Sequence, residues 1–238
     1  ASSEARSEAR IIADWLADDA RSPMSEVATH NRRPPLRSPR RSLIERSMAQ
    51  SEPTSSVADV WITPGTSLIV FDFDQTVLNC HAFGEGVEPE EVPGRWKDDV
   101  ADLDTFRAFV AAAQQRGATL AIASFGRSEV IRAYMDLIAP GAFSDADIVT
   151  PASLGPDYED GMSVENGKPM MLQLLCKRNP VTNLKGAAGV LFFDDDPANV
   201  DECRRAGFLR SHHTPQGFTR AALEGLSGAT TKRQCAVG

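Results

Sequence analysis

Apolar and polar positions fall into two regimes along the chain. Up to about Ser56 they show little order. Ile11, Ile12, Trp15 and Leu16 space one short amphipathic helical face, and from Pro23 onward Ser, Pro and Arg dominate without periodicity. From Val60 the pattern alternates between strand and helix. Leu68-Ile-Val-Phe71 runs on into Asp72-Phe-Asp74, Thr119-Leu-Ala-Ile-Ala123 ends at Ser124, and Val190-Leu-Phe-Phe193 ends in Asp194-Asp-Asp196. Short unbroken apolar runs of this kind predict strands buried on both faces, as in a parallel sheet. Helical spacing covers Leu103–Gly117, Ser128–Ile138, Lys168–Lys177 and the stretch from Pro197 to Arg205. Asp196 reads as the cap of the last of these, with Pro197 at its first position. Asp147–Thr150 and Phe208–Ser211 predict two short strands, and Phe218–Leu226 a final helix. Two stretches predict irregular backbone: 79–99, with Gly84, Gly86, Pro89, Pro93 and Gly94, and the polar loop 152–167.

This alternation predicts an α/β fold, a doubly wound Rossmann-like parallel sheet with right-handed crossovers and helices on both faces. The chain divides into an N-terminal arm (1–59), a folded domain (60–228) and a short tail (229–238). The arm is expected to be largely disordered and dispensable for chemistry, its Ser/Pro/Arg tract being mainly a solvated segment. A basic docking or phosphorylation role at Ser38 or Ser42 is the less favoured reading.

Charge sharpens the picture. The formal net charge is −8, and residues 1–59 balance nine Arg against nine acidic residues, so the whole deficit lies in the folded part. An acidic domain argues against nucleic acid as a general ligand. No apolar run approaches the roughly 18 residues of a membrane span, and no secretory segment is visible, so no membrane partner is expected. Cys80, Cys176, Cys203 and Cys235 are scattered without a paired spacing, which suggests a reducing, cytoplasmic compartment rather than disulfides or zinc. Removal of an N-terminal organelle-targeting segment stays open.

The chemistry collects at strand ends. Asp72 and Asp74 are two apart and share a strand face, so they can converge. Two carboxylates that close repel unless a cation lies between them. Ser124 and Asp194 to Asp196 end two further strands, and in a parallel sheet these ends share one edge, where such folds bind ligands. Lys168, between Asn166-Gly167 and Pro169, reads as the start of a helix reaching that edge, and is preferred to Lys177 and Lys185.

The order Asp72-Phe-Asp74-Gln-Thr76, Ser124, Lys168, Asp194-Asp195-x-x-x-Asn199 resembles the four motifs of the haloacid dehalogenase superfamily of phosphotransferases, over about residues 60 to 225. Within it, Phe192-Phe-Asp-Asp-Asp-Pro-Ala-Asn-Val200 is similar to the magnesium-dependent phosphatase branch. The resemblance implies that Asp72 is the nucleophile and Asp74 the general acid and base. It implies a Mg²⁺ held by the Asp72 carboxylate, the Asp74 backbone carbonyl and Asp195, with Asn199 and Asp194 as supporting partners. It further implies that Ser124, with the amides of Phe125 and Gly126, binds the phosphoryl oxygens, and that Lys168 neutralises Asp72 and phosphate.

Other readings fit less well. A response-regulator receiver would carry its acidic pair before the phosphorylated aspartate and its lysine last. No Gly-x-x-x-x-Gly-Lys-Ser/Thr loop occurs. A sugar-phosphate phosphatase, or a non-catalytic phosphate- or protein-binding module on the same fold, are the alternatives. His81 reads as a surface or substrate-side residue, and His212-His213 as structural. Asp74 and Ser124 are separated by 49 residues, Ser124 and Lys168 by 43. Neither gap holds a cap domain with its own core beside the predicted elements, which needs at least about 40 residues. A small flap over an open site is expected, suited to a phosphoprotein or another bulky phosphorylated substrate, with Trp96 or Tyr158 as a contact face.

Overall fold

The computed structural model describes residues 55–155, 164–179 and 186–226. The amphipathic face at Ile11–Leu16, Ser38, Ser42, Tyr158, Lys185 and Cys235 lie outside the described residues. In chain order the elements are α1 (Ser55–Trp61), β1 (Leu68–Phe71), α2 (Val92–Asp99), α3 (Leu103–Gln115), β2 (Thr119–Ala123), α4 (Ser128–Ile138), β3 (Ile148–Val149), α5 (Val164–Arg178), β4 (Val190–Asp194), α6 (Pro197–Arg205), β5 (Ser211–His213) and α7 (220–226). The five strands form one sheet in the order β3-β2-β1-β4-β5, and every pairing is parallel. The fold is the expected doubly wound, Rossmann-like one. No helix among the described residues is long and apolar enough to cross a membrane.

Alternation along each strand sorts the core into two layers. Ile69 and Phe71, Leu120 and Ile122, Leu191 and Phe193 face one side, where they pack with Trp61, Phe106, Phe109, Ile131, Tyr134 and Phe218. Leu68 and Val70, Ala121 and Ala123, Val190 and Phe192 face the other, against Met171, Leu172 and Leu175 of α5 and Cys203 of α6. Period-two side chains on a sheet covered on both faces require this division. Phe71, Phe193, Phe109 and Phe218 form a mutual aromatic cluster with ring centroids 5.0 to 6.2 Å apart. The order of the sheet reverses between β1 and β4, since the chain builds outward to β3 and then crosses back to β4. The crevice at that reversal is where open α/β sheets bind ligands.

Several elements differ from the sequence reading. β1 stops at Phe71 because the backbone turns at once: the amides of Val77 and Leu78 both donate to the Phe73 carbonyl, each at 3.0 Å. Residues 79–99 are not wholly irregular. Their second half is α2, with Pro93 in the first turn, where a missing N–H costs nothing. The flap is rooted by buried Ala82, Val87 and Val92, and Arg95 ties it down by bonding Asp99 at 2.5 Å and Glu85 at 2.6 Å. Tyr134 donates to the same Asp99 carboxylate. α5 begins at Val164, inside the stretch read as a loop, so Pro169 lies within the helix. β5 falls at Ser211–His213 rather than 208–211. α1 was not anticipated; it buries Ala58 and Trp61, with Ile62 just beyond it. Cys80, Cys176 and Cys203 are free thiols.

Candidate active site

The site sits at the carboxyl ends of β1, β2 and β4. The Asp72 amide donates to the Phe193 carbonyl at 2.8 Å, the last rung between β1 and β4, and the Ser124 amide extends the β2–β3 ladder to the Val149 carbonyl at 3.0 Å. Each side chain is therefore delivered by the last ladder bond of its strand.

Lys168 is fully buried, and its ammonium is held by the Asp72 carboxylate, by the Ala123 carbonyl at 2.6 Å and by Asp194 at 3.4 Å. The ring of Phe125 lies 5.0 Å from that ammonium. Desolvation works against the charge on Lys168, but Asp72 and Asp194 outweigh it and its pKa is raised. Burial pushes Asp72 and Asp194 up to about 6 each, the nearby lysine opposing the rise. Asp195 is also raised, by burial and then by Asp194.

Asp72, Asp194 and Asp195 each bring a carboxylate oxygen within 4.8 Å of the others. Three carboxylates face one ammonium, an excess of two negative charges when all are ionised. An all-oxygen set with that deficit suits a hard divalent cation. Within the set, Asp194 is already engaged: it accepts from the Asp196 amide at 2.8 Å, from Asn199 Nδ2 at 3.1 and 3.2 Å, and from Lys168. Asp195 is held by Thr76, whose hydroxyl donates to Asp195 Oδ1 at 3.2 Å and accepts from the Asp195 amide at 3.0 Å. All three carboxylates could contribute to a cation site, and Asn199 braces Asp194 within it. Asp196 caps α6 by accepting from the Ala198 amide at 2.8 Å.

Asp74 does not join that cluster, contrary to the alternation argument, which lapses once the strand ends at Phe71. Its carboxylate turns to the flap and accepts from the amides of Ala82 at 3.0 Å and Phe83 at 3.4 Å. Burial raises its pKa, against the pull of His81. His81 Nδ1 lies 3.7 Å from Asp74 and accepts from the Gly84 amide at 2.7 Å, so the half-exposed imidazole stands beside the carboxylate. Next to Asp74, Gln75 adopts a left-handed conformation with φ of 60°, uncommon for a residue with a side chain.

In the loop after β2 the Gly126 amide donates to Ser124 Oγ at 3.0 Å. The Ser124 hydroxyl, accepting there, keeps its own proton to donate. A Cβ at Gly126 would lie a tight 3.3 Å from Ser124 Oγ, so glycine lets this backbone approach the serine.

Two contributors were not legible as such. His213 Nε2 lies 2.9 Å from the Asp195 carbonyl, an acceptor only, so the nitrogen carries the proton and holds that backbone. The turn Thr214–Phe218 joins both acidic loops. The Thr214 amide donates to the Asp194 carbonyl at 2.8 Å, and the Phe218 amide to the Thr76 carbonyl at 2.7 Å. Gly217, at φ 76°, fits because a Cβ would come within 3.1 Å of the Thr76 carbonyl oxygen and 2.9 Å of the Ala101 Cβ. These are contacts to backbone, which side-chain patterning does not signal. No family model, no curated protein and no solved structure matches this chain.

Proposed function

We propose that the protein is a magnesium-dependent phosphomonoester hydrolase of the haloacid dehalogenase type, acting through an aspartyl-phosphate on Asp72. One observation carries the reading. Asp72 is buried against Lys168 beside the Asp194–Asp195 pair, while Asp74, two residues on, is turned away from that cluster. That arrangement supports Asp72 as the attacking carboxylate and Asp74 as the one that moves protons. The motif order supports the same assignment.

In the first half-reaction an Asp72 oxygen bonds to phosphorus, the ester P–O bond breaks, and the leaving oxygen takes a proton from Asp74. Burial shifts the pKa of Asp74 upward, the direction a general acid needs. In the second, water attacks phosphorus, Asp74 takes its proton, and the Asp72–phosphorus bond breaks to release phosphate. Ser124 donates its hydroxyl proton to a phosphoryl oxygen, and Lys168 holds Asp72 in place and offsets charge. A magnesium ion held by Asp72 and Asp195 would supply electrostatic shielding between the carboxylate and the anionic phosphate.

The test is hydrolysis of p-nitrophenyl phosphate with magnesium chloride or with EDTA, by wild type and Asp72→Asn. Turnover should require magnesium, and the variant should lose roughly a thousandfold or more while staying folded. Acid quenching of wild type during turnover should trap phosphate on the peptide containing Asp72. Activity near wild type in Asp72→Asn would exclude it as nucleophile. Folded protein inactive on every phosphomonoester tried would exclude the hydrolase.

A further inference from the structure

Asp195 is the half-buried member of the acidic cluster, and the backbone on either side of it is held at every polar atom. In the peptide group before it, the Asp194 carbonyl accepts from the Thr214 amide at 2.8 Å, and the Asp195 amide donates to the Thr76 hydroxyl at 3.0 Å. In the peptide group after it, the Asp196 amide donates to Asp194 Oδ1 at 2.8 Å, and the Asp195 carbonyl accepts from His213 Nε2 at 2.9 Å. Each peptide group is planar, so a bond at both of its ends fixes the plane. With both planes fixed, the Asp195 Cα cannot tilt, and Thr76 braces its carboxylate at Oδ1 from 3.2 Å. Of the four backbone bonds, the one to the Asp195 carbonyl depends on a side chain of β5, the edge strand beside β4. Parallel pairing sets His213 opposite Asp194, one residue short of the carbonyl that its ring reaches.

How firmly a carboxylate is held bears on which divalent cation it favours. Magnesium demands a near-ideal octahedron of oxygens at roughly 2.0–2.1 Å, whereas calcium accepts about six to eight oxygens at roughly 2.3–2.6 Å in flexible arrangements. A carboxylate on a fixed backbone can meet the stricter demand. One that rocks can turn both oxygens to the larger ion. Resting on the reading of this cluster as the cation site of the proposed hydrolase, we infer that His213 is a positioning residue that sets the preference of the cluster for magnesium over calcium. It does so through the Asp195 carbonyl. Without the imidazole, water can satisfy that carbonyl but cannot fix the plane of its peptide group.

The test is cation binding without substrate. Manganese(II) bound to the full chain is counted by electron paramagnetic resonance, and magnesium chloride or calcium chloride is added to compete it off. His213→Leu removes the donor. His213→Gln returns an amide N–H at nearly the reach of Nε2. Both changes fall on a half-buried side chain of an edge strand and leave the core intact. His213→Leu should bind magnesium about tenfold more weakly, the low end of the usual effect of removing a group that orients a metal ligand, and calcium within about threefold of wild type. His213→Gln should restore most of the magnesium affinity. In turnover, His213→Leu should need more magnesium for half-maximal rate, with KM for p-nitrophenyl phosphate unchanged at saturating magnesium. Equal losses for the two ions would reduce His213 to a general structural role and overturn the inference. So would a His213→Gln variant no better than His213→Leu, or a wild type that binds no divalent cation. The expected shift in ion preference, in a protein that hydrolyses no phosphomonoester, would keep the inference and remove the hydrolase. Magnesium-dependent hydrolysis with an unchanged preference would do the reverse.

Discussion

A lysine with no access to water keeps its charge only against carboxylates, and Lys168 has Asp72 and Asp194. Replacing it by Met would leave those two acids buried without their counter-ion, and the cost of breaking such a buried pair is about 3–5 kcal/mol. Urea denaturation of Lys168→Met should show a loss of that size; a variant as stable as wild type would mean that the carboxylates simply take up protons at no cost. At this scale the sequence was partly legible. Lys168 stood out because lysine was expected between a strand-end serine and a strand-end acidic pair, and it does meet Asp72. The local argument for it was wrong, since Pro169 lies inside α5 rather than at its start. Lys168 lies within that helix, which begins at Val164. His213 is structural, as its sequence suggests, but its partner, like the fit of Gly217 beside the Thr76 carbonyl, was not legible, because a contact to a carbonyl leaves no pattern in side-chain chemistry.

At the scale of elements, the three central strands were legible because a strand buried on both faces needs an unbroken apolar run. Their ends were less so, because a strand stops where the backbone turns, and the bonds from Val77 and Leu78 to Phe73 cannot be read from apolarity. The flap helix α2 hid behind Pro93 and Gly94, which usually punctuate a helix; here Pro93 is in the first turn and Gly94 is tolerated within it. α1 was masked by its polar neighbours, yet Trp61 is 4% exposed and meets Phe193 and His212 edge-on, with centroids 5.7 and 4.6 Å away. Arg210 donates to the Trp61 carbonyl at 2.6 Å, and Arg116 pairs with Asp59, so the helix is tied at both levels of structure. Trp61→Ala should therefore cost about 3–5 kcal/mol, the usual range for emptying a buried aromatic site. A shift in the urea midpoint equivalent to less than about 1 kcal/mol would show that α1 contributes little to the domain's stability.

For the whole molecule, the protonation of buried groups sets how stability varies with pH. His212 is pushed down to about 4, first by burial and then by Arg204 and Arg210. Above its ordinary value of 6.5 it is neutral in both folded and unfolded chains. As pH falls from about 6.5 to about 4, the unfolded chain takes up a proton that the folded one refuses, and stability is lost. Asp72 and Asp194, raised to about 6 from 3.8, work in the opposite sense, since over nearly the same interval the folded chain holds protons that the unfolded chain releases. The two carboxylates together outweigh the histidine in the wild type, so the histidine's share appears only by difference. His212→Phe, in a site already ringed by Trp61 and Phe193, should gain on wild type by on the order of 3 kcal/mol as pH is lowered from 7 to 4. A constant difference between the two proteins would show that His212 titrates normally in the fold.

The turn Thr214–Phe218 sets when, during synthesis, the arrangement can come into being. A nascent chain released only as far as His213 already carries Asp72, Asp74, Ser124, Lys168 and the acidic pair, along with all five strands. It lacks the amides that fasten the Asp194 and Thr76 carbonyls from behind, and the Phe218 ring that closes the aromatic cluster beneath β1 and β4. The order of translation thus makes the fastening of the two acidic loops a late event. A ribosome that stalls before this turn, or a protease that trims it away, leaves a product that keeps the side chains of the candidate site but lacks these two backbone fastenings and the Phe218 ring.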